Sequence, residues 1–331
     1  MLRLLVRRVP AMVLVLLVLA GAVFLLQRVS PVDPARALVG ERASEEVVAQ
    51  AREELGLNDN LAVQYLRYVA NAVQGDLGIS AVTREPVAED LTYYVPATLE
   101  LVLTAFVIAL GLGVLLGVST AGNWRGSGLV RFLMVGGSSL PVFLVALLGI
   151  ILFYRTLGWL PATGRTSIRD APTAPTGFLL FDGILGWRWD VVGDGIEHLI
   201  LPATCLALAP AVAIGRVLRS SLQHTLRSDY VRTARAKGLS ERQVLRRHAM
   251  RNSAGPVLAM AGLQFAALFA AVLVIEVIFA WPGIGLYTSQ AISKGDFTTI
   301  AGITLTLGVL YVVVNTIVDL GQAAADPRIK P

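Results

Sequence analysis

The sequence predicts an all-α integral membrane protein: six transmembrane helices, with a small extracytoplasmic helical segment after the first. Three observations carry this expectation. Of 331 residues, 55% are hydrophobic and 15% charged, against roughly 45–50% and 25% in soluble proteins. The mean hydropathy is +0.67, and the apolar residues fall in blocks about 20 residues long, the length that crosses a bilayer. Basic residues collect in particular loops between these blocks, as the positive-inside rule expects.

The first block runs from about Val9 to Leu26, behind Arg3, Arg7 and Arg8. A signal peptide with a cleavage site at Ala20-Gly21-Ala22 is the alternative. Val23-Phe24-Leu25-Leu26 carries the apolar run past that site, which favours an uncleaved helix. The remaining blocks are about Ala97–Val118, Phe132–Tyr154, Leu199–Leu218, Val257–Ile278 and Thr298–Val318. Pro141, Pro202 and Pro210 predict kinks rather than breaks, because neighbouring helices satisfy freed carbonyls in a membrane.

Orientation follows from charge. Residues 220–256 hold Arg227, Arg232, Arg235, Lys237, Arg242, Arg246, Arg247 and Arg251 against Asp229 and Glu241. That loop is expected in the cytoplasm. The short loop with Arg125 and Arg131 belongs on the same side, and six spans then place both termini there. Three domains are expected: residues 1–29 as the N-terminal transmembrane helix, 30–95 as the extracytoplasmic segment, and 96–331 as the core, including a basic loop at about 228–253.

The segment 30–95 is acidic, with Asp33, Glu41, Glu45, Glu46, Glu53, Glu54 and Asp59 among its carboxylates. Ser44 is read as the cap of a helix ending near Gly56. Asn58 or Asn60 caps another, with Leu61, Tyr65, Leu66, Val69 and Val73 along one face. The segment is either a docking surface for an external partner or a solvated linker. The second outer loop, about 155–197, is rich in Pro and Gly and reads as turns rather than a helix. Its Trp187 and Trp189 suit a membrane interface.

Several function classes are disfavoured. Lys237, Lys294 and Lys330 are the three lysines, and none lies in a phosphate-binding G-x-x-x-x-G-K-[ST] loop. Any ATP hydrolysis therefore belongs to another chain. G-x-S-x-G and H-E-x-x-H are absent as well. Cys205 is the single cysteine, so no internal disulfide or cysteine metal site is expected. His198, His224 and His248 lack metal-ligand spacing. The net charge of +5 does not imply nucleic acid, because the basic residues sit between membrane blocks.

The basic loop carries the most information. Ser228 or Asp229 can cap a short helix that Gly238 ends as a left-handed residue, with Lys237 in its last turn. Ser240-x-x-Gln243 is a capping box that starts a second helix. Ala234 and Ala236 are expected to be exposed at the bend, where small side chains let a partner approach the backbone. Spacing alone leaves two readings open: a docking element for a cytoplasmic motor, or a loop whose arginines only fix orientation. A DNA-binding helix-turn-helix is disfavoured by the flanking spans.

The stretch Asp229-Tyr-Val-Arg-Thr-Ala-Arg-Ala-Lys-Gly-Leu239 resembles the EAA loop of type I ABC importer permeases, in the form of the dipeptide/oligopeptide (peptide/nickel/opine) family. Arg247-His248 and Arg251-Asn252 also match. The resemblance covers nearly the whole chain. Met1-Leu-Arg with Arg7-Arg8, Gly75-Asp-Leu-Gly-Ile-Ser80, Pro96-Ala-Thr-Leu-Glu100, Gly158-Trp-Leu-Pro-Ala-Thr-Gly164, His198-Leu-Ile-Leu-Pro-Ala203, Phe279-Ala-Trp-Pro-Gly-Ile-Gly285 and Asp326-Pro-Arg-Ile329 recur in order. Tyr93, Tyr94 and Val95 stand where the family commonly has a basic residue, and the Ile-x-Leu-Pro ending of the broader class is missing.

The resemblance implies a MetI-like permease, a B-type subunit importing di- or oligopeptides across the bacterial cytoplasmic membrane. It implies two ATP-binding-cassette ATPases, a C-type second permease and an extracytoplasmic solute-binding protein as partners. ATP and Mg would be bound by the ATPases, with no cofactor, metal or catalytic residue on this chain. Asp229, Tyr230, Ala234, Arg235, Ala236, Lys237, Gly238 and Leu239 would form the coupling helix seated in an ATPase cleft. Nickel, haem, glutathione or another small solute is the alternative cargo. A stand-alone secondary transporter and an intramembrane protease are the rivals of another class.

Glu276 and Trp281 are candidate cavity or gate residues, since an acid within a span is a functional candidate by default. The alternative for Glu276 is an interfacial residue hydrogen-bonded to helix six or to the Trp281-Pro282-Gly283 turn. Glu100 is read as capping a helix that opens at Pro96.

Overall fold

A computed structural model describes residues 2–29, 34–40, 43–54, 56–122, 126–172 and 175–325. Asp33, Glu41, Arg42, Arg125 and the Asp326–Ile329 motif lie outside the described residues. The described residues are mostly helical and hold no named strand; Ile79 and Pro86 form one isolated antiparallel bridge. They divide into two compact units, Met1–Val95 with Leu286–Val313, and Pro96–Gly285 with Val314–Pro331.

In the first unit, α1 (Leu2–Val29), α2 (Pro34–Val39), α3 (Glu45–Glu54) and α4 (Leu61–Val73) precede the start of α5 (Val87–Ala121). Asn60 caps α4, its side chain accepting from the Ala62 amide at 2.9 Å. The Tyr65 hydroxyl of α4 donates to the Leu17 carbonyl of α1 at 2.7 Å. The apolar residues Leu61, Leu66 and Val73 are exposed, and Gln64 is the buried residue of α4. Ala35, Val48 and Ala51 form a small core between α2 and α3.

The same unit contains parts of α13 (Ile284–Lys294) and α14 (Phe297–Ala325). Asp296 caps α14, accepting from the Thr299 amide at 3.0 Å. Its other oxygen accepts from the Ser80 hydroxyl, the Ala81 and Val82 amides and the Thr299 hydroxyl at 2.6–3.2 Å. The Gly75–Ser80 motif thus has a local purpose. Gly78, at φ +85°, turns the chain so that Ser80 and the two following amides converge on one carboxylate.

The second unit is built on α9 (Trp189–Leu226) and α12 (Met250–Ile278). Ile214, Leu218 and Leu222 of α9 pack with Ala249, Val257 and Ala261. The α5 helix approaches α9 closely at glycines. A Cβ on Gly113 would stand 2.9 Å from Cβ of Ile214, and one on Gly117 2.8 Å from Cβ of Leu218.

Three sequence expectations are corrected. The block Phe132–Tyr154 is not one kinked helix. It is α6 (Ser127–Ser139), a break at Leu140-Pro141, and α7 (Val142–Gly149), which continues as a π-helical stretch to Thr156. Pro141 caps α7 with ψ 142°, and Leu140 before it takes ψ 132°; the proline ring disfavours the helical conformation for its predecessor. Pro96 does not open a helix: α5 starts at Val87, with Glu89 and Asp90 in its first turn favouring the positive helix end. The loop 155–197 is not all turns, because it contains α8 (Leu179–Leu185) and the first turns of α9.

Among the described residues, four helices are long and apolar enough to cross a membrane: Val87–Ala121, Trp189–Leu226, Glu241–Ile278 and Phe297–Val318. Met12–Arg28 and Val142–Thr156 are apolar and shorter.

Candidate functional site

The basic loop folds as read from its local signals. The helix α10 (Asp229–Ala236) begins after Ser228, whose hydroxyl donates back to the Thr225 carbonyl at 2.6 Å instead of capping the helix. At the other end, the Leu239 amide donates to the Ala234 carbonyl at 3.3 Å and the Gly238 amide to the Arg235 carbonyl at 2.9 Å. This is a Schellman motif, and Gly238 takes its left-handed position at φ +84°. Ser240 and Gln243 form the reciprocal capping box that opens α11 (Glu241–Gln243). A π-helical turn, Val244–Ala249, then leads into α12.

Val231, Ala234 and Val244 are buried together, with Leu226 and Leu239 packed on them. Ala234 is therefore not exposed at the bend. The Schellman turn brings Leu239 back over the face that carries it, which leaves Ala236, Lys237 and Gly238 on the open side. Tyr230 is 46% exposed. Arg235 does not project freely: it pairs with Glu241 at 2.7 Å and donates to the Leu226 carbonyl at 3.2 Å. Gly238→Ala forces an alanine into the left-handed region and Ser240→Ala removes a cap, each at a cost of about 1 kcal/mol. Amide exchange across residues 229–243 is expected to quicken about fivefold in either variant.

A second cluster lies at the far end of the run Glu241–Ile278, about 50 Å away at 1.5 Å per residue. Glu276 is fully buried. One carboxylate oxygen accepts from the Thr98 hydroxyl at 2.6 Å, and the other from the Gly285 amide at 2.5 Å. The Thr98 oxygen in turn accepts from the Ile284 amide at 2.8 Å. Trp281, also buried, donates its indole N–H to the Ala97 carbonyl at 2.9 Å. A Cβ on Gly285 would lie 2.5 Å from Cα of Leu273, and one on Gly283 would strike the Glu276 carboxylate. Only glycines let the chain pass α12 this closely.

Glu100 is no cap. Thirteen residues into α5, it forms a buried pair with Arg165 at 2.6 Å, both side chains 7% exposed. Arg165 also donates to the Gly177 carbonyl, and Glu100 accepts from the Leu180 amide at 3.0 Å. The Gly164 amide donates to the Phe279 carbonyl at 2.8 Å. The motifs Pro96–Glu100, Gly158–Gly164 and Phe279–Gly285, far apart in sequence, meet in one network. The sequence alone does not single out Thr98 or Arg165, which hold Glu276 and Glu100. The motifs that contain or precede them were the available signal, but their pairing is not local.

The sequence matches two family descriptions. Residues 1–102 match the N-terminal component of binding-protein-dependent transport membrane proteins. Residues 109–331 match the binding-protein-dependent transport system inner membrane component.

The chain belongs to this permease family.

Relatives extend over its whole length. A dipeptide transport system permease protein, DppB, of Alkalihalophilus pseudofirmus is 38% identical over 98% of both chains. A di/tripeptide transport system permease protein of Pseudomonas aeruginosa is 42% identical over 93% of this chain and 92% of its own. A glutathione transport system permease protein of Salmonella paratyphi A is 34% identical over 100% and 99%. The inward-facing MetNI methionine ABC transporter shares the fold of this permease, with a TM-score of 0.50 at 18% identity, covering 72% of this chain and 94% of that one.

Proposed function

We propose that this permease is a non-catalytic translocation subunit of an ABC importer for short peptides. The observation that carries the reading is the element α10–Gly238–α11. It is a turn capped on both sides, between the two longest apolar helices among the described residues, with Ala236, Lys237 and Gly238 on its open side. A stiff helix joined directly to a span can transmit a push, whereas a loose loop would absorb it. Two ATPase subunits close on ATP and Mg and move the element; a second, homologous permease completes the passage. An extracytoplasmic solute-binding protein delivers the substrate, and no cofactor binds this chain.

Six spans fit this role, with Met12–Arg28 and Val142–Thr156 added to the four long helices. Both termini and residues 228–253 are cytoplasmic, on the density of arginine. Residues 30–95 form the extracytoplasmic segment and residues 96–331 the core. Relatives named for dipeptides, di/tripeptides and glutathione support a short peptide-like substrate. The network around Glu276 and Trp281 serves as the gate, because it ties the end of α12 to α5.

The test is Gly238→Cys in a Cys205→Ser background, expressed with the ATPase and second permease subunits. A crosslink from residue 238 to an ATPase is expected, with ATP-dependent dipeptide uptake that a bulky thiol reagent abolishes. Uptake by this chain alone, without any crosslink, would sink the reading in favour of a secondary transporter.

A further inference from the structure

Along α11 and the π turn that follows it lies an open cavity of about 590 Å³, lined by Ser240, Arg242, Gln243, Arg246 and Arg247. All three arginines are exposed. Each is without an ion-pair partner among the described residues, because the acids of this loop are engaged elsewhere: Glu241 holds Arg235 and Asp229 faces Arg232 at 3.6 Å. The helix winding gathers the arginines. In an α-helix, residues five apart point about 140° away from each other. The π turn Val244–Ala249 is wound with i→i+5 hydrogen bonds, which lets Arg247 join Arg242 and Arg246 around one cavity.

Three like charges held together without a counter-ion are unfavourable unless an anion visits. Position selects which anion. Arg242 to Arg247 precede Val257, where the apolar stretch starts, by about 15–23 Å of helix. Lipid headgroups extend only about 5–8 Å beyond the hydrocarbon. The cavity therefore stands below the headgroups, adjoining the exposed edge of the Schellman turn at Leu239-Ser240.

We propose that this cavity receives an acidic side chain of the partner ATPase, a second contact beside the seat of α10. The guanidiniums suit a carboxylate, which they can bind through paired N–H groups. The contact sets the association rate and the register of docking, while α10 transmits the movement. This inference rests on the coupling reading of α10.

The test compares the wild-type permease with an Arg242→Gln/Arg246→Gln/Arg247→Gln triple variant. Each is co-expressed with its second permease subunit and held in nanodiscs, and ATPase binding is measured at low and high KCl. The triple variant is expected to bind at least about tenfold more weakly at low salt and to lose most of the salt dependence. The loss should be equal in zwitterionic and anionic nanodiscs. A triple lysine variant should keep the salt dependence.

Wild-type affinity and salt slope in the triple Gln variant would overturn the proposal. So would a loss confined to anionic nanodiscs, which would make the cavity a headgroup site. The Gly238→Cys crosslink separates the two readings. If it forms while the arginine variants bind normally, only this inference fails; if it does not form, the coupling reading falls and this one with it. The side chains are exposed, so wild-type thermal unfolding is expected, and single Arg246→Gln and Arg247→Gln variants should show the same trend more weakly.

Discussion

Glu100→Ala is expected to destabilise the permease by about 3–5 kcal/mol, because it strands the Arg165 guanidinium in a site 7% exposed. The geometry gives a sharper form of this expectation. Arg165 keeps only the Gly177 carbonyl, and the Leu180 amide loses its acceptor. The segment 165–180 then loses its tie to α5. A Glu100→Leu/Arg165→Met double variant removes both charges and should recover most of the loss, since an apolar pair of similar volume costs little in place of a buried ion pair. Cys205 is the reporter: it is the chain's one cysteine and is buried. Its rate of thiol modification in mild denaturant should rise steeply in Glu100→Ala and return towards wild type in the double variant. Equal rates in the single and double variants would show that the pair carries no coupling energy.

Gly285→Ala should be as damaging, by about 3 kcal/mol or more, through a different cause. The new methyl would stand 2.5 Å from Cα and 2.8 Å from the carbonyl oxygen of Leu273. Both are backbone atoms of a helix, so neither can swing aside. The start of α13 must withdraw, which breaks the Gly285 amide bond to Glu276 and the Ile284 amide bond to Thr98. Glu276 is then left buried with fewer donors. Gly193→Ala is the control: it lies in α9, exposed, with nothing within 4 Å of its Cβ position. There alanine should be neutral or stabilising by up to about 1 kcal/mol. Transport and Cys205 protection should collapse in Gly285→Ala and persist in Gly193→Ala. If Gly285→Ala transports normally, the close passage is not needed for a working permease.

The sequence by itself determined the class of the protein, since apolar blocks about 20 residues long leave few alternatives. It also determined the Gly238 turn and the Ser240–Gln243 box. These are decided within a handful of residues, by the left-handed preference of glycine and the reach of a side chain to its neighbouring amides. Tertiary structure decided what depends on partners far along the chain. Glu100 reads as a helix cap until Arg165, 65 residues away, is brought to 2.6 Å. Glu276 is merely an acid in an apolar run until Thr98, 178 residues away, donates to it. Ala234 reads as exposed until Leu239 folds back beside it. Periodicity and capping report the local backbone, whereas a buried carboxylate is defined by whichever donors packing delivers, and that packing is a property of the whole fold.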